Sequence, residues 1–150
     1  MNYDIALPLP PLWTSELDCY EEIDGPLITH MECHLPAKDG KSDEALIDLY
    51  VGELPADTTA EDEAFANYAE IIGWDDDEDN DESPIAEWRF KNKKAFGFSG
   101  EAEDGSIMLL MCVEILKGSL LIFTVVAKND DEVSKWAKYV EDNLRVRKQG

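Results

Sequence analysis

The sequence predicts an α+β domain: an antiparallel β-sheet flanked by helices on both faces, an α/β/α sandwich. Two apolar runs of strand length, IMLLMCVEIL and LLIFTVVA, are joined by Lys117-Gly118-Ser119 and are apolar on both faces. A strand apolar on both faces needs cover above and below, so this hairpin belongs inside its sheet. Two further stretches carry apolar residues at helical spacing and supply one cover for each face. The remaining alternating or aromatic runs, bounded by Gly, Pro and Asp, read as additional strands.

In the central hairpin, Ile107, Leu109, Met111, Val113 and Ile115 line one side and Met108, Leu110, Cys112 and Leu116 the other, with Glu114 the only charge inside either run. A transmembrane helix needs about 20 uninterrupted apolar residues, and Glu114, Lys117 and the Gly-Ser turn interrupt this stretch. Residues 1–13 read as an extended arm, with Ile5 and Leu7 in a short strand and Pro8, Pro10 and Pro11 holding the backbone extended. Thr14 to Glu22 holds a weakly patterned strand or turn. Leu27 to Leu35 alternates between prolines as a strand with one buried face, a loop turns around Asp39-Gly40, and Ala45 to Val51 returns as its hairpin partner.

The stretch LPADTTAEDEAFANYAEIIG predicts a helix with Thr58 and Glu61 as a capping box, acids 61–63 in the first turn, Gly73 at the C-cap, and Phe65, Tyr68, Ala69 and Ile72 as its apolar face. Ile85 to Lys91 and Lys94 to Ala102 read as strands around a turn at Asn92-Lys93, with Trp88, Phe90, Phe96 and Phe98 facing in, and Asp104-Gly105 leads into the central hairpin. The last helix opens at Asn129 and Asp130. Val133, Trp136, Ala137, Val140 and Leu144 form its apolar stripe, and Arg145, Arg147 and Lys148 sit at the negative end of its dipole.

A chain of 150 residues with 44% hydrophobic content is the size of one domain, spanning 1–150. The N-terminus has no basic flank and its apolar residues are broken by prolines, so the expectation is a cytoplasmic protein without a signal peptide. Cys19, Cys33 and Cys112 include no Cys-x-x-Cys pair and read as free thiols. Residues 1–84 hold 24 acidic and 2 basic side chains, whereas residues 85–150 hold 10 acidic and 11 basic. A field of that sign repels nucleic acid and anionic membrane and speeds encounter with basic partners. The deepest concentration is the loop 75–82, DDDEDNDE. Its acids, Asp75, Asp76, Asp77, Glu78, Asp79, Asp81 and Glu82, are the candidate partner-binding residues.

His30 and His34, the only histidines, flank Glu32 on one side of a strand and are the candidate metal ligands. At about 3.3 Å per residue the two rings lie roughly 13 Å apart, too far to share one ion. The acidic run lacks the Gly and the closing acid of a calcium loop, with Asn80 and Ala86 in those places. Gly97-Phe98-Ser99-Gly100 lacks the final Gly of a nucleophile elbow, with Glu101 there, and leads into no helix. Pro8-Leu9-Pro10-Pro11 fits PxxP without a flanking basic residue and reads as packing of the arm on the domain. No catalytic constellation and no cofactor site emerges, and the expectation is a protein that is not an enzyme.

Three stretches, Pro11-Leu12-Trp13, LPADTTAEDEAFANYAEII and KGSLLIFTVVAKNDDEVSKWAKYVEDNL, together resemble the PsbP-like fold family of PsbP proteins, Ran-binding Mog proteins and small bacterial relatives. The resemblance implies a binding scaffold without catalytic residues, an adaptor or chaperone that holds another protein. The expected function is a non-catalytic protein-binding module using an acidic surface. Its partner is a protein with a basic surface or an amphipathic helix, with no nucleic acid, no membrane insertion and nothing against a homodimer. The alternatives are an inhibitor or immunity protein masking a basic toxin or enzyme, and a metal-dependent enzyme at His30, Glu32 and His34.

Overall fold

The hairpin read from Ile107 to Ala127 forms near the middle of a seven-stranded antiparallel sheet. The computed structural model describes residues 3–21, 27–37, 43–68, 70, 85–101 and 105–148. The strands are β1 (Tyr3–Ala6), β2 (Thr14–Glu21), β3 (Leu27–Pro36), β4 (Asp43–Glu53), β5 (Ala86–Phe90), β6 (Lys93–Glu101), β7 (Ile107–Leu116), β8 (Ser119–Ala127) and β9 (Arg145–Lys148). The helices are α1 (Ala60–Tyr68) and α2 (Asp130–Asn143). The large sheet has the order β2-β3-β4-β8-β7-β6-β5, and β1 pairs with β9 in a separate two-stranded ribbon.

This corrects the expected fold class. Among the described residues the chain is mostly antiparallel β, and a seven-stranded sheet with two helices is not a helix-flanked α/β/α sandwich. The reason is area. Seven strands span about 29 Å at about 4.8 Å per spacing, whereas α1 has 9 residues and is about 14 Å long and about 10 Å wide. It packs on β6 and β7, burying Ala60 and Ala64 against Phe98, Leu110, Cys112 and Leu120 in the smaller core. The larger core takes the odd-numbered residues of β4, β7 and β8 with Val133, Trp136 and Val140 of α2. Tyr3, Ile5 and Leu7, from β1 and the residue after it, share that core, so a β-ribbon and one helix cover this face together.

Pairing of β4 with β8, from Ala45↔Ala127 to Glu53↔Ser119, joins the N-terminal strands to the β5–β8 meander. The lone charge within the two strands of the central hairpin closes its turn, with Glu114 Oε1 accepting from the amide of Gly118 at 2.7 Å. Gly118 takes φ +77° there, a conformation that favours glycine. In the β5–β6 turn, Lys91 and Asn92 both have positive φ, as a type I′ hairpin requires, and the Lys91 amide donates to Glu141 of α2 at 2.8 Å.

Several local expectations shift. The capping box of α1 is Thr59 with Asp62, one residue on from Thr58: each backbone amide donates to the other's side chain at 3.1 Å. Phe65, expected on the buried face, is 39% exposed, and the small residues Ala60 and Ala64 face the sheet instead. Trp88 and Phe90 face the larger core while Phe96 and Phe98 face the smaller one. Asn129 caps α2 by accepting from the Glu132 amide at 2.9 Å. Arg145, Arg147 and Lys148 lie in β9, because Leu144 turns extended after its amide meets the Val140 carbonyl; of the three, Arg145 directly follows the C-cap and donates to the Leu144 carbonyl at 3.1 Å. The arm packs as expected: Trp13 meets Trp136 edge to face at 4.7 Å, and the Tyr139 hydroxyl donates to the Pro8 carbonyl.

Candidate metal centre on the open face of the sheet

The even-numbered residues of β3 and β4 point away from the larger core, on the same face as α1. Because α1 lies over β6 and β7, no described helix packs on β3. Here His30, Glu32 and His34 of β3 sit beside Asp48 and Tyr50 of β4, all half-exposed. The register sets Glu16, Glu32 and Asp48 side by side on three neighbouring strands. It also places His30 opposite Tyr50, whose ring stacks on the imidazole at 4.1 Å with an interplanar angle of 3°.

The contacts run diagonally across and along the strands. His30 Nε2 lies 2.5 Å from Asp48 Oδ1, and His34 Nε2 lies 2.7 Å from Glu32 Oε1. His30, Glu32 and Asp48 each offer a ligand atom, and those atoms lie within 4.8 Å of one another. Of the three residues singled out by sequence, the structure brings His30 and Glu32 together. His34 sits on the far side of Glu32, and Asp48 completes the set. A signal for Asp48 is present in the sequence. It is the only charge between Ala45 and Val51, and from Thr29 to Leu35 the β3–β4 register is a reflection through position 40, which carries 32 onto 48.

Beneath this face, Cys33 points into the larger core, and its thiol is pushed up to about 11, first by burial and then by Asp48 and Glu32. Cys112 in the smaller core is pushed up to about 12, by burial and then Glu63. Neither is poised as a thiolate nucleophile. Ser99 is exposed on β6, four strand spacings from β3 and so about 19 Å away. Neither histidine reaches it. The acidic residues Asp75, Asp76, Asp77, Glu78, Asp79, Asp81 and Glu82 lie outside the described residues.

Grooves among the described residues adjoin the sheet. One of about 190 Å³ is floored by Ile28, Tyr50, Leu120 and Ile122 and rimmed by Glu53 and Glu63. Another of about 380 Å³ runs between α2 and β5–β7 over Trp88, Phe90 and Met111, with no histidine or cysteine in its lining.

No family model and no curated protein matches the chain. The extracellular domain of PknH from Mycobacterium tuberculosis is similar over 95% of this chain and 81% of its own, at 13% identity and a TM-score of 0.31. Similarity at that level says nothing about fold or function. No helix among the described residues is long and apolar enough to cross a membrane.

Proposed function

We propose that the chain is a non-catalytic protein-binding module that receives a partner with a basic surface on its acidic side, across β2, β3 and β4. The observation that carries this reading is the row Glu16, Glu32, Asp48, three carboxylates in register on adjacent strands. Like charges placed directly opposite each other oppose folding by about 0.2–1 kcal/mol per pair. A partner that brings cations to this face relieves that repulsion, and the 24 acids of residues 1–84 against 2 bases supply long-range attraction toward it.

The test is kinetic. A partner is captured on the immobilised protein and its association rate measured from about 20 mM to about 500 mM NaCl. Steering by this face predicts a fall of at least about tenfold, with dissociation changing less. Glu16→Lys with Glu44→Lys, both exposed positions, is expected to slow association in the same way at low salt. A rate that ignores both salt and these substitutions refutes the proposal.

A further inference from the structure

The same face carries a second inference that does not depend on a protein partner. We infer that His30, Glu32 and Asp48 bind one first-row divalent transition ion, with zinc as the representative, and that His34 orients the Glu32 carboxylate.

One imidazole nitrogen and two carboxylate oxygens form a mixed N/O set suited to zinc and its neighbours; calcium and magnesium prefer oxygen alone. Ligand atoms about 2.0–2.2 Å from a tetrahedral ion lie roughly 3.3 Å apart. The present atoms lie within 4.8 Å of one another, and His30 Nε2 is hydrogen-bonded to Asp48 Oδ1 at 2.5 Å, closer than two ligands of one ion stand. An ion therefore takes the place of that hydrogen bond, small side-chain rotations bring all three atoms to ligand spacing, and the half-exposed positions leave room for them.

The backbone holds these donors in place. Glu32 and Asp48 are direct cross-strand partners in the β3–β4 ladder, and His30 is the diagonal neighbour of Asp48. The three ligands therefore stand on paired strands and not on a loop, which holds their spacing. Tyr50 stacked on His30 restrains the ring, and His34 bonded to Glu32 at 2.7 Å restrains that carboxylate. Such restraint of a ligand by a neighbour is the ordinary support of a metal site.

The electrostatics point the same way. Glu32 has a carboxylate opposite it on each neighbouring strand, Glu16 and Asp48. A divalent ion between Glu32 and Asp48 removes the repulsion on one side and binds more tightly because of the other.

Isothermal titration of the full chain with zinc chloride near pH 7.5 tests this, and cobalt absorption reports coordination directly. The expected result is one tight ion per chain, with a melting temperature raised by about 5–10 °C at a hundredfold excess over Kd. His30→Gln and Asp48→Asn should each weaken the tight site at least about tenfold. Converting all seven acids of residues 75–82 to their amides should leave the site intact. Far-UV circular dichroism verifies that each variant is folded, and the cobalt spectrum of the unaltered protein stands whatever the variants do. Absence of binding at about 1 mM zinc overturns the inference. So does unchanged affinity in a folded Asp48→Asn variant, or loss of the tight site when only the acidic run is neutralised.

Discussion

Two neighbouring residues on β8 test the register that decides which side chains reach the open face. Phe123 is fully buried in the larger core and meets Phe90 at 5.2 Å between ring centroids. Ile122, one residue away, is half-exposed on the other face, opposite Cys112 and Tyr50. Truncating a buried Phe to Ala removes its transfer energy and leaves a cavity, which costs about 3–5 kcal/mol. Phe123 stands in a strand paired on both sides, so the cavity cannot collapse freely and the upper part of that range applies. Ile122→Ala removes fewer carbons from a half-wet site and costs about 1–2 kcal/mol. In a domain of this size each kcal/mol moves the melting temperature by about 2–4 °C. The expected drops are therefore about 8–20 °C and about 2–8 °C. Urea unfolding followed by far-UV circular dichroism gives the energies, and an unchanged m-value shows that the two variants share a denatured state. If Ile122→Ala proves as costly as Phe123→Ala, the strand is shifted by one residue. A slip of one exchanges the faces, and the same slip carried through β3 and β4 would turn His30, Glu32 and Asp48 into the core.

Three further outcomes follow from single contacts. A Cβ on Gly97 would run into the Leu110 carbonyl oxygen. No side-chain rotation relieves a clash with backbone, so Gly97→Ala should cost about 3 kcal/mol or more, and a variant of unaltered stability contradicts the β6–β7 pairing. Thr59→Ala should cost about 1 kcal/mol by removing the cap of α1, while Thr58→Ala should cost far less; chemical denaturation of both variants reads the difference. Burial raises the thiols of Cys33 and Cys112 from 9.0 to about 11 and about 12. The folded state thus favours the neutral thiols, a contribution fully present below pH 9 and lost as pH climbs toward those raised values. Each thiol removes about 1.4 kcal/mol per pH unit in that window. Stability should fall between pH 8 and pH 10 by about 2–3 kcal/mol more in the native sequence than in a Cys33→Ala, Cys112→Ala variant, as read by urea unfolding at each pH.

What can be read from the sequence is local. The β7–β8 hairpin is legible because its strands are apolar on both faces and a single Gly turn separates them, and α2 is legible because Asn129 precedes a clean stripe at helical spacing. The β4–β8 pairing is not, since periodicity says which face a residue takes and nothing about which strand lies alongside. The expected sandwich fails for a related reason. Two helices match two faces in number, yet a nine-residue helix covers little of a sheet this wide. Size is also a poor guide to which face of α1 is buried. A helix lying close on a sheet prefers small residues at the contact, so Ala60 and Ala64 go in and Phe65 stays out.

The candidate centre is half legible, and the missing half shows what a strand can and cannot do. Residues two apart on one strand share a face but stand about 6.6 Å apart. Three ligands from His30, Glu32 and His34 would then have to bend toward one point against the pleat. Cross-strand partners are closer, about 4.5–5.5 Å, so a metal site on a sheet is completed by a neighbour on the next strand rather than by the next residue but one. Asp48 meets that requirement, and its isolation as the only charge between Ala45 and Val51 is what needs explaining. A lone carboxylate there would face Glu32 at a cost. With His30 against Asp48 and His34 against Glu32, imidazole and carboxylate alternate around the pair, so each group makes the position of the next tolerable. His30 and Asp48 therefore form a coupled pair in folding, whether or not an ion joins them. In a double-mutant cycle read by chemical denaturation without added metal, the loss from replacing both should be smaller than the sum of the two single losses. Strict additivity would mean that the two side chains do not support one another.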